Sequence, residues 1–254
     1  MKSTVIIVGI GEIGSVLARG FLRTGFTVTP VTRDMQMQQV ANSVENPEAV
    51  VIAVGESELH DVLAKVPVSW KSKLILIQNE LLPGDWQQYD LDPTVISVWF
   101  EKKKGQDVKV VVASPIYGKK SQILSKALNA LDIPNQIIND KKQMIFELVR
   151  KNYYILTSNI AGLKTGGTVS SLWQEHRDFA ESVVSDVNSL QQYLLGEKLD
   201  QAALTKAMIL AFDGDPEHGC TGRSAPARLQ RAIQIADEAG LPVPALRDIQ
   251  ASLG

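Results

Sequence analysis

A chain of 254 residues, 44% hydrophobic and 21% charged with a formal net charge of −2, has the make-up of a soluble globular protein with room for two ordinary domains. The near-neutral balance excludes a bulk electrostatic pull toward nucleic acid or an anionic membrane and points to small-molecule partners. Cys220, the only cysteine, excludes an internal disulfide and a multi-cysteine metal site and fits a reducing, cytoplasmic compartment. The first apolar run, Thr4 to Val8, is too short for the core of a signal peptide, and no run approaches the ~20 apolar residues of a membrane helix.

That first run, Val5-Ile6-Ile7-Val8, leads directly into Gly9-Ile10-Gly11-Glu12-Ile13-Gly14. A β-branched strand, a G-x-G-x-x-G turn and the helical spacing of Ser15 to Leu22 form the context in which such a triplet binds a dinucleotide. Gly9 permits the tight turn, Gly11 lets backbone N–H groups approach a pyrophosphate, and Gly14 lets the helix pack closely on the sheet. Glycines also cluster in ordinary turns, and the flanking strand and helix decide for a cofactor site here.

Thr24-Gly25 ends the first helix, and Phe26 to Arg33 reads as a second strand that Pro30 assigns to an edge or a bulge. A short helical patch spans Met35 to Ala41, followed by a buried strand over Ala49 to Val54. Next come an amphipathic helix from Glu58 to Lys65 and a fourth strand over Lys73 to Ile77. Continuous apolar strands alternating with helices require a parallel sheet covered on both faces, so this half is a doubly wound α/β Rossmann sheet. Thr94 to Phe100 and Val108 to Ser114 read as a hairpin that extends the same sheet. Beyond residue 140 helical periodicity takes over. Helices are expected over Lys142 to Leu163, Leu172 to Leu195, Gln201 to Phe212 and Ala225 to Ala239, with stops at Gly196, Gly214 and Gly240. The chain thus divides into a dinucleotide-binding domain, 1–140, and an all-helical domain, 141–254, for substrate binding and dimerisation. The apolar helix faces are equally explained by the domain's own core, so a homodimer stays an open expectation. The long loop from Asp213 to Ser224 gathers Asp213, Asp215, His218, Cys220 and Arg223.

Arg33 follows the second strand, about 20 residues past the glycine turn, where an acidic residue would bind the ribose of NAD. A cation there suits the 2′-phosphate of NADP, whereas neighbouring Asp34 could serve NAD. Gln78 and Asn79 end the fourth strand at the carboxyl edge of the sheet, where ligands of open α/β sheets bind, although an asparagine there also suits a plain turn. Lys151 is the candidate general acid, because an ammonium beside a carbonyl oxygen can donate a proton as the carbon is reduced. Asn159, eight residues on, is offset by about 80° in an ideal helix, so the two could flank one ligand. A helical lysine is also an ordinary solvated residue.

Taken in order, the glycine turn, Arg33, Gln78-Asn79, the Lys151/Asn159 pair and Ala239-Gly240-Leu241-Pro242-Val243-Pro244 resemble the ketopantoate reductase (2-dehydropantoate 2-reductase) family over nearly the whole chain. The resemblance implies a Rossmann domain followed by a helical domain and an NADPH-dependent reduction of a 2-oxo acid. It places the catalytic lysine on Lys151, substrate contacts on Asn79 and Asn159, and cofactor contacts on Gly9, Gly11, Glu12, Ile13, Gly14, Arg33 and Asn79. Two positions depart from it. Glu80 replaces the glycine after the strand-four asparagine, and the family's active-site glutamate falls on uncharged Ser224, which becomes a neutral substrate contact. A changed pocket follows, in which Arg223 or Arg228 could bind a carboxylate, unless both belong to a solvated helix start. Two rivals to the reductase are a nucleotide-binding regulatory protein that has lost catalysis and another β-hydroxyacid or imine oxidoreductase.

Overall fold

The structure, a computed structural model, describes residues 3–253. The first part of the chain alternates strands and helices: β1 (Thr4–Val8), α1 (Glu12–Arg23), β2 (Thr27–Val31), α2 (Met37–Ser43), β3 (Ala49–Ile52), α3 (Leu59–Leu63), β4 (Leu74–Leu76), α4 (Pro83–Gln87) and β5 (Thr94–Ile96). There follow β6 (Phe100–Glu101), β7 (Lys109–Val110), β8 (Ser114–Tyr117), α5 (Ser121–Asn129) and β9 (Asn135–Ile137). Helices complete it: α6 (Lys141–Thr165), α7 (Val169–Glu175), α8 (Arg177–Leu195), α9 (Gln201–Gly214), α10 (Ala225–Ala239) and α11 (Pro244–Ser252).

Seven strands form one sheet in the order β2-β1-β3-β4-β5-β8-β9, parallel throughout except where β5 meets β8. β1 pairs with β2 on one side and β3 on the other, so the chain reverses its direction of winding beside β1, the place where doubly wound sheets bind ligands. β2 lies at the edge, which accommodates Pro30 without costing the sheet a central hydrogen bond. One sheet face buries Val5, Ile7, Val51 and Ile75 against Val16, Leu17 and Phe21 of α1 and Leu124 and Leu128 of α5.

Of the hairpin expected to extend this sheet, the first strand does so as β5, but the paired tips do not. β6 and β7 form a separate two-stranded ribbon, and β8, with β9 beside it, takes the place in the main sheet. Ser114 causes the switch: its Oγ accepts the Trp99 N–H at 2.9 Å, while Ser97 N–H bonds to Pro115 O at 3.0 Å. The chain leaves and rejoins the sheet between those residues.

The chain divides into two compact units, one ending at Glu147 and the other beginning at Leu148. The division falls two turns into α6 rather than at residue 140, and Ser97 Oγ reaches Glu147 O at 3.4 Å within the first unit. The second unit is helical, and the left-handed backbone at Gly196 (φ 69°) and Gly240 (φ 66°) ends α8 and α10. The single helix expected over Leu172 to Leu195 is two. A capping box starts α7 early, with Thr168 Oγ1 accepting from Ser171 N and Ser171 Oγ from Thr168 N, and the backbone breaks at His176 (φ −126°, ψ 35°). The break leaves Trp173 against Phe212, with ring centroids 6.4 Å apart, so tertiary packing overrides an unbroken helical pattern. Among the described residues no helix is long and apolar enough to cross a membrane, and no cluster of three His, Cys, Asp or Glu side chains could hold a metal ion.

Candidate functional site

The glycine turn joins the end of β1 to the start of α1, beside the crossing of β1 with β2 and β3. Its three glycines have different causes. Gly9 has φ +91° and its N–H bonds to Val31 O at 3.0 Å; a Cβ there would lie 2.8 Å from Ala53 O. At Gly14 a Cβ would lie 2.1 Å from Gly9 O, because the helix packs directly on the turn. Gly11 is required by neither argument. Its φ of −78° suits any residue, and among the described residues nothing beyond its chain neighbours lies within 4 Å of where its Cβ would stand. Gly11 N-caps α1, Glu12 and Ile13 open the helix, and Ile13 packs against the core. The first N–H groups of a helix have no intrahelical acceptor, so this turn presents backbone donors to an open side.

Charged and amide side chains gather around that edge. Arg33 Nη2 lies 3.0 Å from Glu58 Oε1, with the arginine side chain 86% exposed. Asn79 Nδ2 donates to Glu56 Oε1 at 3.0 Å. Gln78 is a fastening instead: it is buried, its Nε2 donates to Ile52 O (2.7 Å) and Val54 O (3.2 Å), and its Oε1 accepts from Ile77 N. Glu80 keeps a left-handed backbone (φ 62°), the conformation that a glycine adopts without strain. Around this turn a further residue escaped the sequence reading. Lys102, at the end of the β6–β7 ribbon, brings its Nζ to 3.6 Å from Glu12 Oε2 and sets a cation beside the glycine turn. The only signal was the basic character of residues 101–107.

In the second unit, α6 carries both Lys151 and Asn159. Lys151 Nζ lies 5.5 Å above the ring of Tyr154, one turn further along the same face. The Tyr154 ring in turn meets His218 at 5.9 Å, and His218 Nδ1 lies 3.4 Å from Asp215 Oδ2. Tyr154, His218 and Asp215 therefore belong to the surroundings of Lys151, and the spacing of Tyr154 three residues from Lys151 was the legible clue.

Asn159 is 8% exposed and lies against the loop that precedes α10. Its Nδ2 donates to Cys220 O at 3.2 Å and to Ser158 Oγ at 3.3 Å. Its Oδ1 accepts from Arg228 Nη1 at 2.7 Å. Close approach of the loop depends on Gly162, where a Cβ would lie 2.5 Å from Cys220 Cβ. Cys220 is fully buried, and burial pushes its thiol up to about 11, so it is inert rather than nucleophilic. Ser224 precedes α10 and its carbonyl accepts from Arg228 N at 2.9 Å, which places it one turn before the arginine. Arg223 is exposed, whereas Arg228 is buried (8% exposed), so the two are no longer equivalent candidates.

No protein-family model matches the chain, and no curated protein matches its sequence. The likeness to known proteins lies in structure. A PanE/ApbA family ketopantoate reductase from Ralstonia eutropha JMP134 is 15% identical, with 98% of this chain and 96% of that one covered at a TM-score of 0.68. The dimeric ketopantoate reductase from Staphylococcus aureus is 17% identical, with coverage of 98% and 97% and a TM-score of 0.67. A D-mandelate dehydrogenase, solved as a ternary complex with NADH and anilino(oxo)acetate, is 11% identical over 97% and 96% at 0.65. At such identities the likeness establishes the fold, a Rossmann domain followed by a helical domain.

Proposed function

We propose that this chain is an NADP-dependent reductase of a small 2-oxo acid or related carbonyl compound, similar in activity to a ketopantoate reductase. The observation that carries the proposal is Gly11. Packing accounts for Gly9 and Gly14, but among the described residues nothing lies close enough to require a glycine at the middle position, the N-cap of α1. A pyrophosphate approaching the first N–H groups of that helix supplies the missing reason. The ketopantoate reductases and the NADH-bound D-mandelate dehydrogenase that share the fold make a nicotinamide dinucleotide the fitting occupant.

Bound there, the cofactor would supply the hydride. Glu12, Ile13 and Gly14 would offer backbone donors to its phosphates, and Lys102 would offset the charge of Glu12. Arg33 would bind a 2′-phosphate. Its pairing with Glu58 is a surface ion pair worth about 0–1 kcal/mol, weak enough to be exchanged. Asn79 would contact cofactor and substrate. Lys151, steadied by the Tyr154 ring, would give its proton to the substrate oxygen as the carbon is reduced, and Asn159 and Ser224 would serve the substrate side. A homodimer and a cytoplasmic location belong to the same proposal, supported respectively by the dimeric Staphylococcus aureus relative in fold and by the sole, buried cysteine.

Substitution of Gly11 tests it. Gly11→Val should abolish NADPH binding in a fluorescence titration while the far-UV circular dichroism of the folded protein is kept. Retained affinity would make the turn a structural feature and remove the ground for a dinucleotide.

A further inference from the structure

We infer that the start of α5 is a second anion site, built for a single phosphate group and separate from the glycine turn. Its position follows from the sheet. β5 runs parallel to its neighbour β4 and β8 runs antiparallel to it, so the carboxyl end of β8, where α5 begins, lies at the edge opposite the one that carries the glycine turn. A cavity of about 290 Å³ opens there, lined by Asp92, Tyr117, Lys119, Ser121 and Asn139 among others.

The chain passes from β8 to α5 through Gly118-Lys119-Lys120, and Ser121 is the first residue of the helix. The connection is fastened to the strand beside it. Gly118 has φ +119°, a Cβ there would lie 2.7 Å from Thr94 Cα, and Lys120 N donates to Thr94 Oγ1 at 2.8 Å. Ser121 N bonds to Gly118 O at 3.1 Å and Leu124 N to Lys120 O at 3.2 Å, which leaves the N–H groups of Gln122 and Ile123 without an acceptor among the described residues.

Ser121 supplies the independent sign of a ligand. It is 7% exposed and lines the cavity, yet among the described residues its hydroxyl has no hydrogen-bond partner. A hydroxyl so far withdrawn from water costs free energy until something in the cavity satisfies it. That hydroxyl and the two backbone donors at the positive end of a helix suit the three acceptor oxygens of a phosphate better than the two of a carboxylate. Lys119 brings the countercharge. Its Nζ lies 3.3 Å from Asp92 Oδ2, with side chains 72% and 79% exposed, a surface pair that an arriving anion can exchange. Lys120 is committed elsewhere, with its Nζ 3.0 Å from Glu48 Oε1.

The sequence limits the ligand to one phosphate. Ala113 stands where a G-x-x-x-x-G-K-[ST] loop has its first glycine, and Lys120 where that loop has its hydroxyl, so a nucleoside triphosphate does not fit. Inorganic phosphate and a small phosphate monoester share the chemistry that remains, and Tyr117 and Ile138 give the cavity the walls an ester's organic part would meet.

NMR titration of the isotope-labelled full-length protein with inorganic phosphate and with phenyl phosphate tests the inference, because a phosphate accepting from backbone N–H groups moves their amide signals. The amides of Gln122 and Ile123 should shift saturably. Ser121→Ala and Lys119→Gln should each weaken binding roughly three- to tenfold, and Asp92→Asn should tighten it several-fold by releasing Lys119. Arg33→Ala should leave binding at α5 unchanged. Tighter binding of phenyl phosphate would assign the site to a monoester, and equal affinities would assign it to free phosphate. Shifts confined to the glycine turn, no saturable shift at Gln122 and Ile123, or an affinity indifferent to Ser121→Ala and Asp92→Asn would overturn the inference. Lys119 and Asp92 are exposed, so those variants should fold whatever becomes of Ser121→Ala. The titration needs neither NADPH nor turnover, so its outcome is independent of the reductase proposed above.

Discussion

The turn at Gly9–Gly14 and the Asn159–Arg228 pair gather polar groups by opposite means. At the turn the groups are backbone N–H donors at a helix start, and missing side chains let the chain close on itself at Gly9 and Gly14. At the pair the groups are side chains, both more than nine-tenths buried, with Arg228 Nη1 of α10 donating to Asn159 Oδ1 of α6 and Asn159 Nδ2 donating to Cys220 O of the intervening loop. Breaking the first is a steric matter, abrupt and local. Breaking the second leaves polar atoms without partners, a cost that depends on what replaces them. Packing and ligand roles should therefore separate residue by residue at the turn, whereas at the pair each side chain's loss is felt by the other.

The largest effect expected from this contrast is at Gly14. A Cβ 2.1 Å from a backbone oxygen cannot be relieved by moving a side chain, so Gly14→Ala should lower unfolding stability by about 3 kcal/mol or more in urea titration. Gly11→Ala should stay within about 0.5 kcal/mol of the unsubstituted protein. Equal losses would erase the distinction between the two glycines.

A smaller effect falls on Asp186, which fastens the helical unit by side chain alone. Its Oδ2 accepts the N–H of Ala245 and of Leu246 at 2.8 and 3.0 Å, at the start of α11. Asp186→Ala should cost about 2 kcal/mol through the orphaned donors. Burial raises this carboxyl above its ordinary 3.8, and the two backbone hydrogen bonds only partly oppose the rise. The folded state then holds the proton more tightly than the unfolded one, so the residue's contribution is greatest below 3.8 and falls as pH rises through the raised folded value. Stability of the unsubstituted protein relative to Asp186→Asn should accordingly decline with rising pH across the acidic range. A flat difference would mean that the carboxyl is not shifted.

The smallest effect belongs to the exposed pair at the cofactor edge. Arg33→Ala should reduce the preference for NADPH over NADH by roughly tenfold, about 1.4 kcal/mol, and Glu58→Gln should raise it by a few-fold by freeing the arginine. Fluorescence titrations with both nucleotides check the pair. Movement of both variants in one direction would separate Arg33 from the 2′-phosphate.

Legibility in the sequence followed the same division. The glycine turn is contiguous and flanked by a strand and a helix, so local spacing carried it, and Pro30 alone announced the edge strand. The start and stop of α10 were likewise read from residues inside it. What escaped depends on distant partners. β8 carries a proline and pairs with β5 only because Ser114 redirects the chain, and the break at His176 has no glycine or proline to mark it. Lys102 meets Glu12, and His218 meets Tyr154, across long stretches of chain that no periodicity links. Arg223 and Arg228 looked alike until burial separated them.

The central claim is that Lys151 protonates a substrate oxygen in a reaction that consumes NADPH. It is tested most directly by following the loss of reduced nicotinamide absorbance with a panel of 2-oxo acids, in the unsubstituted protein and in Lys151→Ala. At least one acid should be reduced, and Lys151→Ala should lower kcat/KM by roughly 10²–10⁴ with NADPH affinity nearly unchanged, since a general acid acts on the transition state and not on the nucleotide. Tight NADPH binding with no turnover of any acid, or turnover indifferent to Lys151→Ala, would contradict it.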